Sequence, residues 1–216
     1  MYKLYRGDCK LVLPHIKGIK AIISDPPYGI KVNTSYRASG RGPHWNGALG
    51  NNYPLIIGDQ EPFDPTHLLG YPVVVLFGAN YFAPRLPVSG GWVVWDKLNG
   101  LTSKREWGFN DQSDCELIWT NVGGAARLIP HRWMGCLKES EQRERRVHPT
   151  QKPVALMEIL INQYTKPGDL VCDPYMGSGS TGIAAVRLGR RFVGMERSRE
   201  YYEIAQSRIM KELDHE

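Results

Sequence analysis

Asp25-Pro26-Pro27-Tyr28, inside "SDPPYGI", is the stretch of this 216-residue chain best suited to chemistry. The apolar run "KAII" before it reads as a buried strand, so the four residues form the turn that ends it. Paired prolines restrict the backbone on both sides and make the turn stiff. A stiff turn can hold the Asp25 carboxylate and the Pro26 carbonyl at fixed positions. Two fixed acceptors suit an exocyclic amine on a heteroaromatic ring. Such an amine is a poor nucleophile because its lone pair is delocalised into the ring. Acceptors at both of its hydrogens draw it towards tetrahedral geometry and free the lone pair. Tyr28 adds a ring on which a planar base can stack. The plain alternative is a capped turn with a packed tyrosine, and the rest of the chain decides between them.

A second stretch, "DPYMGSGST", supplies Gly177-x-Gly179-x-x-Gly182 after a strand and before a helix. Glycines there let a ligand approach the backbone closely. Glu196 follows 19 residues after Gly177, at the end of the next strand, where an acid accepts hydrogen bonds from ribose hydroxyls. A dinucleotide such as NAD is one candidate ligand. Against it, no second mononucleotide-binding half follows in the sequence. Asp173, just before the glycines, also opposes a pyrophosphate and suits a cationic ligand. A sulfonium carrying an adenosyl group and an amino-acid tail, S-adenosylmethionine, fits better. Methyl transfer from it to a base amine needs alignment and no metal. A base inside a duplex must first be flipped out.

These residues need a scaffold that brings them together. "DLVCDPY", "SGSTGIAAVRLG", "RRFVGME" and "SREYYEIAQSRIMKEL" read as strand, glycine loop with helix, strand, and a helix capped by Ser198. That is a βαβ unit of a parallel sheet. "YKLYRGD" reads as an edge strand, "CKLVLPHI" as a short helix, and "KAIISD", "YPVVVLFG", "GGWVVWDK" and "DCELIWT" as strands. A helix within 148–169 takes Pro153 in its first turn. The expected fold is therefore α/β, a mostly parallel Rossmann-like sheet whose cofactor half comes last in the chain. Ligands of open α/β sheets bind at the carboxyl ends of the strands, so the turns after Ile23 and Cys172 should share one rim.

The length fits one domain, 1–216, and the composition is that of a globular protein, with 42% hydrophobic and 23% charged residues. No apolar run is long enough for a membrane span, and no apolar core marks the N-terminus as a signal, so the expected location is the cytoplasm. Four scattered cysteines without C-x-x-C spacing suggest reduced thiols and no zinc. The net charge of +5 permits a polyanionic partner. Two irregular segments, 29–66 and 121–147, combine arginines with aromatic and polar residues in a way that suits nucleic acid.

"SDPPYGI", "HPTQKP" and "DPYMGSGST", in that order, resemble the beta class of DNA amino-methyltransferases, as do "RGDC" and "FVGMERSREYYEIAQSRI". The resemblance covers most of the chain outside the two irregular segments. It implies a site-specific methyltransferase of prokaryotic or phage type that acts on double-stranded DNA. It implies a catalytic set of Asp25, Pro26, Pro27 and Tyr28. For S-adenosylmethionine it implies Asp8 and Cys9 at the adenine, and Glu196 at the ribose. It further implies Asp173, Tyr175, Gly177, Ser178 and Gly179 in the loop, with Asp25 facing the ligand as well. Thr150 and Lys152 match the segment that holds the methionine carboxylate. Tyr175 stands where a phenylalanine is commoner. Aspartate at the first catalytic position resembles the adenine-N6 branch; cytosine N4 is the alternative within the family, and RNA or a protein amide the alternatives outside it. Expected DNA contacts are Tyr36, Arg37, Arg41, His44 and Trp45 in the first segment. In the second they are Arg127, His131, Arg132, Trp133, Arg143, Arg145 and Arg146, forming a target-recognition segment. A reader this short suggests a homodimer, a state common among family members.

Overall fold

The computed structural model describes residues 1–34, 53–100, 113–134, 137–142 and 144–214. In chain order the strands are β1 (Tyr2–Arg6), β2 (Ile19–Ser24), β3 (Val73–Phe77), β4 (Trp92–Asp96), β5 (Cys115–Thr120), β6 (Arg127–Pro130), β7 (Trp133–Met134), β8 (Leu137–Lys138), β9 (Leu170–Asp173) and β10 (Arg191–Glu196). The α-helices are α1 (Cys9–Val12), α2 (Val154–Tyr164), α3 (Ser180–Arg187) and α4 (Arg199–Leu213).

Eight strands form one sheet in the order β1-β10-β9-β2-β3-β5-β4-β6. All of its neighbours pair in parallel except those that involve β5, which runs against both β3 and β4. Early strands β2 and β3 lie directly beside late strands β9 and β10, so the permuted, mostly parallel α/β arrangement read from the sequence is present. β7 and β8 form a separate two-stranded ribbon.

The central strands are apolar on both faces, and their alternation divides the core in two. Ile23, Val75 and Phe77 pack with α2, α3 and α4 on one side. Ile22, Val74 and Leu76 pack with Cys9, Leu13, Leu68 and Phe82 on the other. Deleting such a side chain leaves a cavity that costs about 2–5 kcal/mol. Helices therefore cover one face, while α1 and short 3₁₀ turns cover the other.

From β9 the chain crosses over α3 to β10, towards the β1 edge. From β2 it leads to β3, towards the β6 edge. The β9–β2 junction is thus where the strand order reverses, and a crevice opens at the carboxyl ends there.

Two sequence expectations change. Pro153 is the N-cap of α2 rather than a first-turn residue. Part of 121–147, expected to be irregular, is β6 at the sheet edge together with the β7–β8 ribbon.

Candidate active site

Ser24 ends β2 and Asp173 ends β9, on adjacent strands. The Ser24 hydroxyl donates to Asp173 Oδ1 at 2.6 Å, and both groups are buried. One hydrogen bond thus joins the two stretches that carry the chemistry, across 149 positions of sequence. Asp173 Oδ1 also accepts from the Tyr175 amide at 3.1 Å, and Oδ2 from the Thr181 hydroxyl at 2.6 Å. Burial pushes the Asp173 carboxyl up to about 6, against the pull of those donors. The sequence reading gave Asp173 to a cationic ligand; the structure engages it in holding the glycine loop to β2 and α3.

Glu196, at the end of β10, accepts from the Gly177 amide at 3.1 Å and from the Ser198 amide at 2.7 Å. Burial raises its carboxyl, and these backbone donors oppose the rise. Gly177 has φ +49, in the left-handed region open to glycine, and the His148 imidazole lies where a side chain would emerge. His148 packs on the Tyr201 ring at 4.2 Å, and its Nδ1 accepts from the Thr150 amide at 3.2 Å. Burial pulls its pKa down to about 3, helped by Lys152, so the ring is neutral near pH 7.

The Asp-Pro-Pro-Tyr turn is held from several directions. Tyr28 donates its hydroxyl to Asp25 Oδ1. Lys152 Nζ lies 2.6 Å from Asp25 Oδ2 and 3.4 Å from Glu116 Oε2. Burial pushes the Asp25 carboxyl up, and Lys152 partly offsets this. Burial alone would lower the Lys152 pKa, yet Asp25 and Glu116 hold its ammonium above the ordinary range. The Tyr28 ring rests against Gly78 and stacks on half-exposed Tyr81, with centroids 5.2 Å apart and planes 17° apart. After the turn, Asp59 accepts from the amides of Gly29 (2.8 Å), Ile30 (3.2 Å) and Val32 (2.6 Å), which pins the outgoing chain.

Many of these groups line one crevice of about 880 Å³ that opens to solvent, while Ser24, Glu116, Gly78 and Tyr81 stand behind its walls. It gathers Asp25, Pro26, Pro27, Tyr28, Cys9, Thr150, Lys152, Asp173, Tyr175, Gly177, Ser178 and Glu196. Asp8 and Gly179 stand outside the lining. Asp8 caps α1 through the Lys10 amide, and Gly179 is the N-cap of α3. Tyr175 reaches His67 Nε2 at 3.0 Å and meets Phe63 edge to face.

The expected DNA contacts divide. Tyr36, Arg37, Arg41, His44, Trp45 and Arg143 lie outside the described residues. Arg127 and Arg145 are exposed. His131 and Trp133, expected to face DNA, are instead turned inward. His131 meets Ser140 Oγ at 3.0 Å, and the Trp133 indole donates to the Gln151 carbonyl at 3.0 Å. Arg146 lies over the Trp133 ring at 5.2 Å, and Arg132 is half-buried. Trp133 turns inward because it joins the core on the helix-covered face of the sheet, and His131 beside it is held by Ser140.

Sequence reasoning assigned no role to His148, Asp59 or Glu116. His148 opens "HPTQKP", so its position was a usable signal. Glu116 stands out as an acid within an apolar strand. Asp59 carries no local signal, because only the fold returns it to the turn.

An open α/β sheet with a crevice at its reversal point, lined by an Asp-Pro-Pro-Tyr turn and a glycine loop, defines the broad class of Rossmann-like α/β proteins. Within it, the DNA methylase family model matches residues 100–207, half of the chain, and this chain belongs to that family. The type II methyltransferase M2.DpnII of Streptococcus pneumoniae is 46% identical over 80 residues, 37% of this chain and 30% of that protein. M2.LlaDCHI of Lactococcus lactis subsp. cremoris, also a type II methyltransferase, is 34% identical over 125 residues, 55% of this chain and 41% of that protein. The matches thus span well under half the length of these curated relatives. The crystal structure of an M1.HpyAVI–SAM complex has a TM-score of 0.58 and 25% identity, covering 97% of this chain and 99% of that one. Among the described residues no helix is long and apolar enough to cross a membrane.

Proposed function

We propose that the protein is a site-specific DNA methyltransferase that transfers a methyl group from S-adenosylmethionine to the N6 amine of an adenine flipped from duplex DNA. The observation that carries this reading is the Ser24–Asp173 bond, which sets the acceptor turn and the glycine loop on one crevice. Family membership supports it. So does the likeness to a structure solved with S-adenosylmethionine.

The crevice suits that cofactor. Each Glu196 oxygen takes one backbone amide and keeps a lone pair for a ribose hydroxyl. Ser180 Oγ is buried and unpartnered among the described residues while lining the crevice, as a polar ligand would require. Cys9 and Tyr175 flank the adenine end, and Thr150 the methionine end. When bound, S-adenosylmethionine supplies an electrophilic methyl carbon, whose bond to sulfur breaks with its electron pair returning to sulfur.

The chain's own groups do the rest. Asp25 and the Pro26 carbonyl accept the two amine hydrogens and free the nitrogen lone pair. The base adds to the Tyr28–Tyr81 stack, and the stiff turn aims the amine. Lys152 bears on Asp25. Flipping costs about a few kcal/mol, which stacking on the tyrosines offsets. The 29–66 segment and the exposed Arg127 and Arg145 are the proposed duplex contacts within one domain, with a homodimer extending that surface.

The test is transfer of labelled methyl to duplex DNA, followed by digestion to nucleosides. N6-methyldeoxyadenosine is the expected product. N4-methyldeoxycytidine would overturn the choice of base, and label on RNA or protein but not DNA would overturn the substrate class.

A further inference from the structure

Glu116 is an acid on the one strand that runs against the rest of the sheet, and its carboxylate points at the catalytic turn. Lys152 stands between the two acids, 2.6 Å from Asp25 Oδ2 and 3.4 Å from Glu116 Oε2. The lysine side chain is 6% exposed, that of Asp25 15% and that of Glu116 23%. The three groups thus form a line with the lysine most buried at its centre and an acid at each end, Glu116 being the more exposed of the two. Glu116 Oε1 lies 3.4 Å from Lys97, which also meets Ser113.

We propose that Glu116 is a positioning residue for the transfer: it braces Lys152 against Asp25 from behind and, through Lys152, takes up the proton that the amine loses. This rests on the methyl-transfer reading. The balance is simple. The amine gains a methyl group, through its own lone pair, and must release one proton. Asp25 Oδ2 accepts that proton. Lys152 hands one of its three protons to Glu116 and takes the one on Asp25, so Lys152 ends as it began. Glu116 receives the proton on Oε2, which is buried and has no hydrogen-bond partner among the described residues, and its partly exposed side chain passes it on to solvent.

The charge pattern gives the line a second consequence. A lysine paired with Asp25 alone would bring its whole charge to bear on that carboxylate and weaken it as an acceptor. Glu116 shares the ammonium, so Asp25 stays basic enough to grip an amine that turns cationic as it reacts. Among the described residues the charged and titratable groups around this line include Tyr28 after β2, Asp173 at the end of β9, Lys97 after β4, His148 beside Lys152, and Tyr81 against Tyr28.

The test compares wild type with Glu116→Gln, which keeps the shape and an acceptor for one of the two lysines while removing the charge. Methyl transfer to DNA is followed from pH 5 to 9 with saturating S-adenosylmethionine, and cofactor affinity is measured separately. Glu116 raises the Asp25 pKa, so its neutralisation should move the acid limb of kcat to lower pH. The plateau should fall about tenfold or more, since a positioned proton acceptor contributes roughly 10²–10⁴. Cofactor affinity should stay within twofold. Glu116→Asp keeps the charge, and should bring the limb back towards wild type even if Glu116→Gln folds poorly. A plateau within twofold of wild type overturns the proposal, as does a lowered plateau with an unmoved limb. A wild-type enzyme that transfers no methyl to DNA overturns the underlying reading instead.

Discussion

Ser24→Ala tests the bond on which the site rests. It removes one oxygen at a position with no solvent exposure and leaves the β2 backbone untouched. The lost bond, 2.6 Å long, ends on a carboxylate. Hydrogen bonds to charged groups contribute about 1.5–3 kcal/mol. Asp173 would keep Thr181 and the Tyr175 amide, so it is not orphaned, and the low end, about 1.5–2 kcal/mol, is expected at pH 8. For a chain of this size that is a fall of roughly 3–8 °C in Tm. The pH dependence sharpens the test. With the Asp173 pKa at about 6, the folded protein holds a carboxylate at pH 8 and mostly a neutral acid at pH 5. A hydroxyl bonded to a neutral acid contributes only about 0.5–1.5 kcal/mol, so the deficit of the variant should shrink at pH 5. The assay is thermal unfolding of both proteins at the two pH values. A deficit that is equal or larger at pH 5 would refute the claim that the bond ends on a buried carboxylate.

Three further outcomes follow from the geometry. Gly78→Ala should reduce transfer more than tenfold, because φ is +62 and the new carbon would sit 2.1 Å from the Tyr28 ring; turnover within twofold of wild type would count against Tyr28 as the stacking platform. Asp59→Ala leaves three amides without their acceptor and should cost about 3 kcal/mol in denaturant unfolding, with Asp59→Asn recovering part of that; wild-type stability in both would dismiss the tether. His148 has a depressed folded-state pKa of about 3, so the unfolded chain binds the extra proton first and stability is lost as pH falls from 6.5 towards 3. Asp173, with its raised value, acts in the opposite sense between about pH 4 and 6. The His148 contribution is isolated by comparison with His148→Gln: the stability of wild type relative to that variant should grow by about 1.4 kcal/mol per pH unit as pH rises from 4 to 6. A constant difference would show that His148 is not buried neutral.

What could be read from the chain, and what could not, follows from the range of each interaction. β2, β3, β9 and β10 are short apolar runs bounded by turn residues, and burial on both faces leaves that mark in local sequence. Ser198 and Gly189 are likewise local devices, one capping a helix and one ending it. β6 carries no such mark. Only Ile129 of its four residues is even half-buried, and the strand exists because β4 offers it a free edge. The inward turn of His131 and Trp133 was illegible for a related reason. An aromatic beside arginines looks the same whether it meets a base or the Gln151 carbonyl, and the choice depends on an element 18 positions away.

The same reasoning separates the two acids of the site. Asp25 was legible as a candidate because its immediate neighbours, two prolines and a tyrosine, mark a stiff turn at a strand end. Lys152 was legible as a residue, but its pairing with Asp25 and Glu116 was not, because no spacing in the sequence connects positions 25, 116 and 152. Three separate elements bring them together: the turn after β2, the antiparallel strand β5, and the segment before α2. A parallel strand in the place of β5 would enter from the opposite end of the sheet. The residue at its second position would then lie away from the rim, since strands rise about 3.3 Å per residue. Reversal of this one strand puts Glu116, near its start, within 3.4 Å of a lysine on the catalytic rim. The strand that departs from the parallel pattern is therefore the one that completes the charge line behind Asp25.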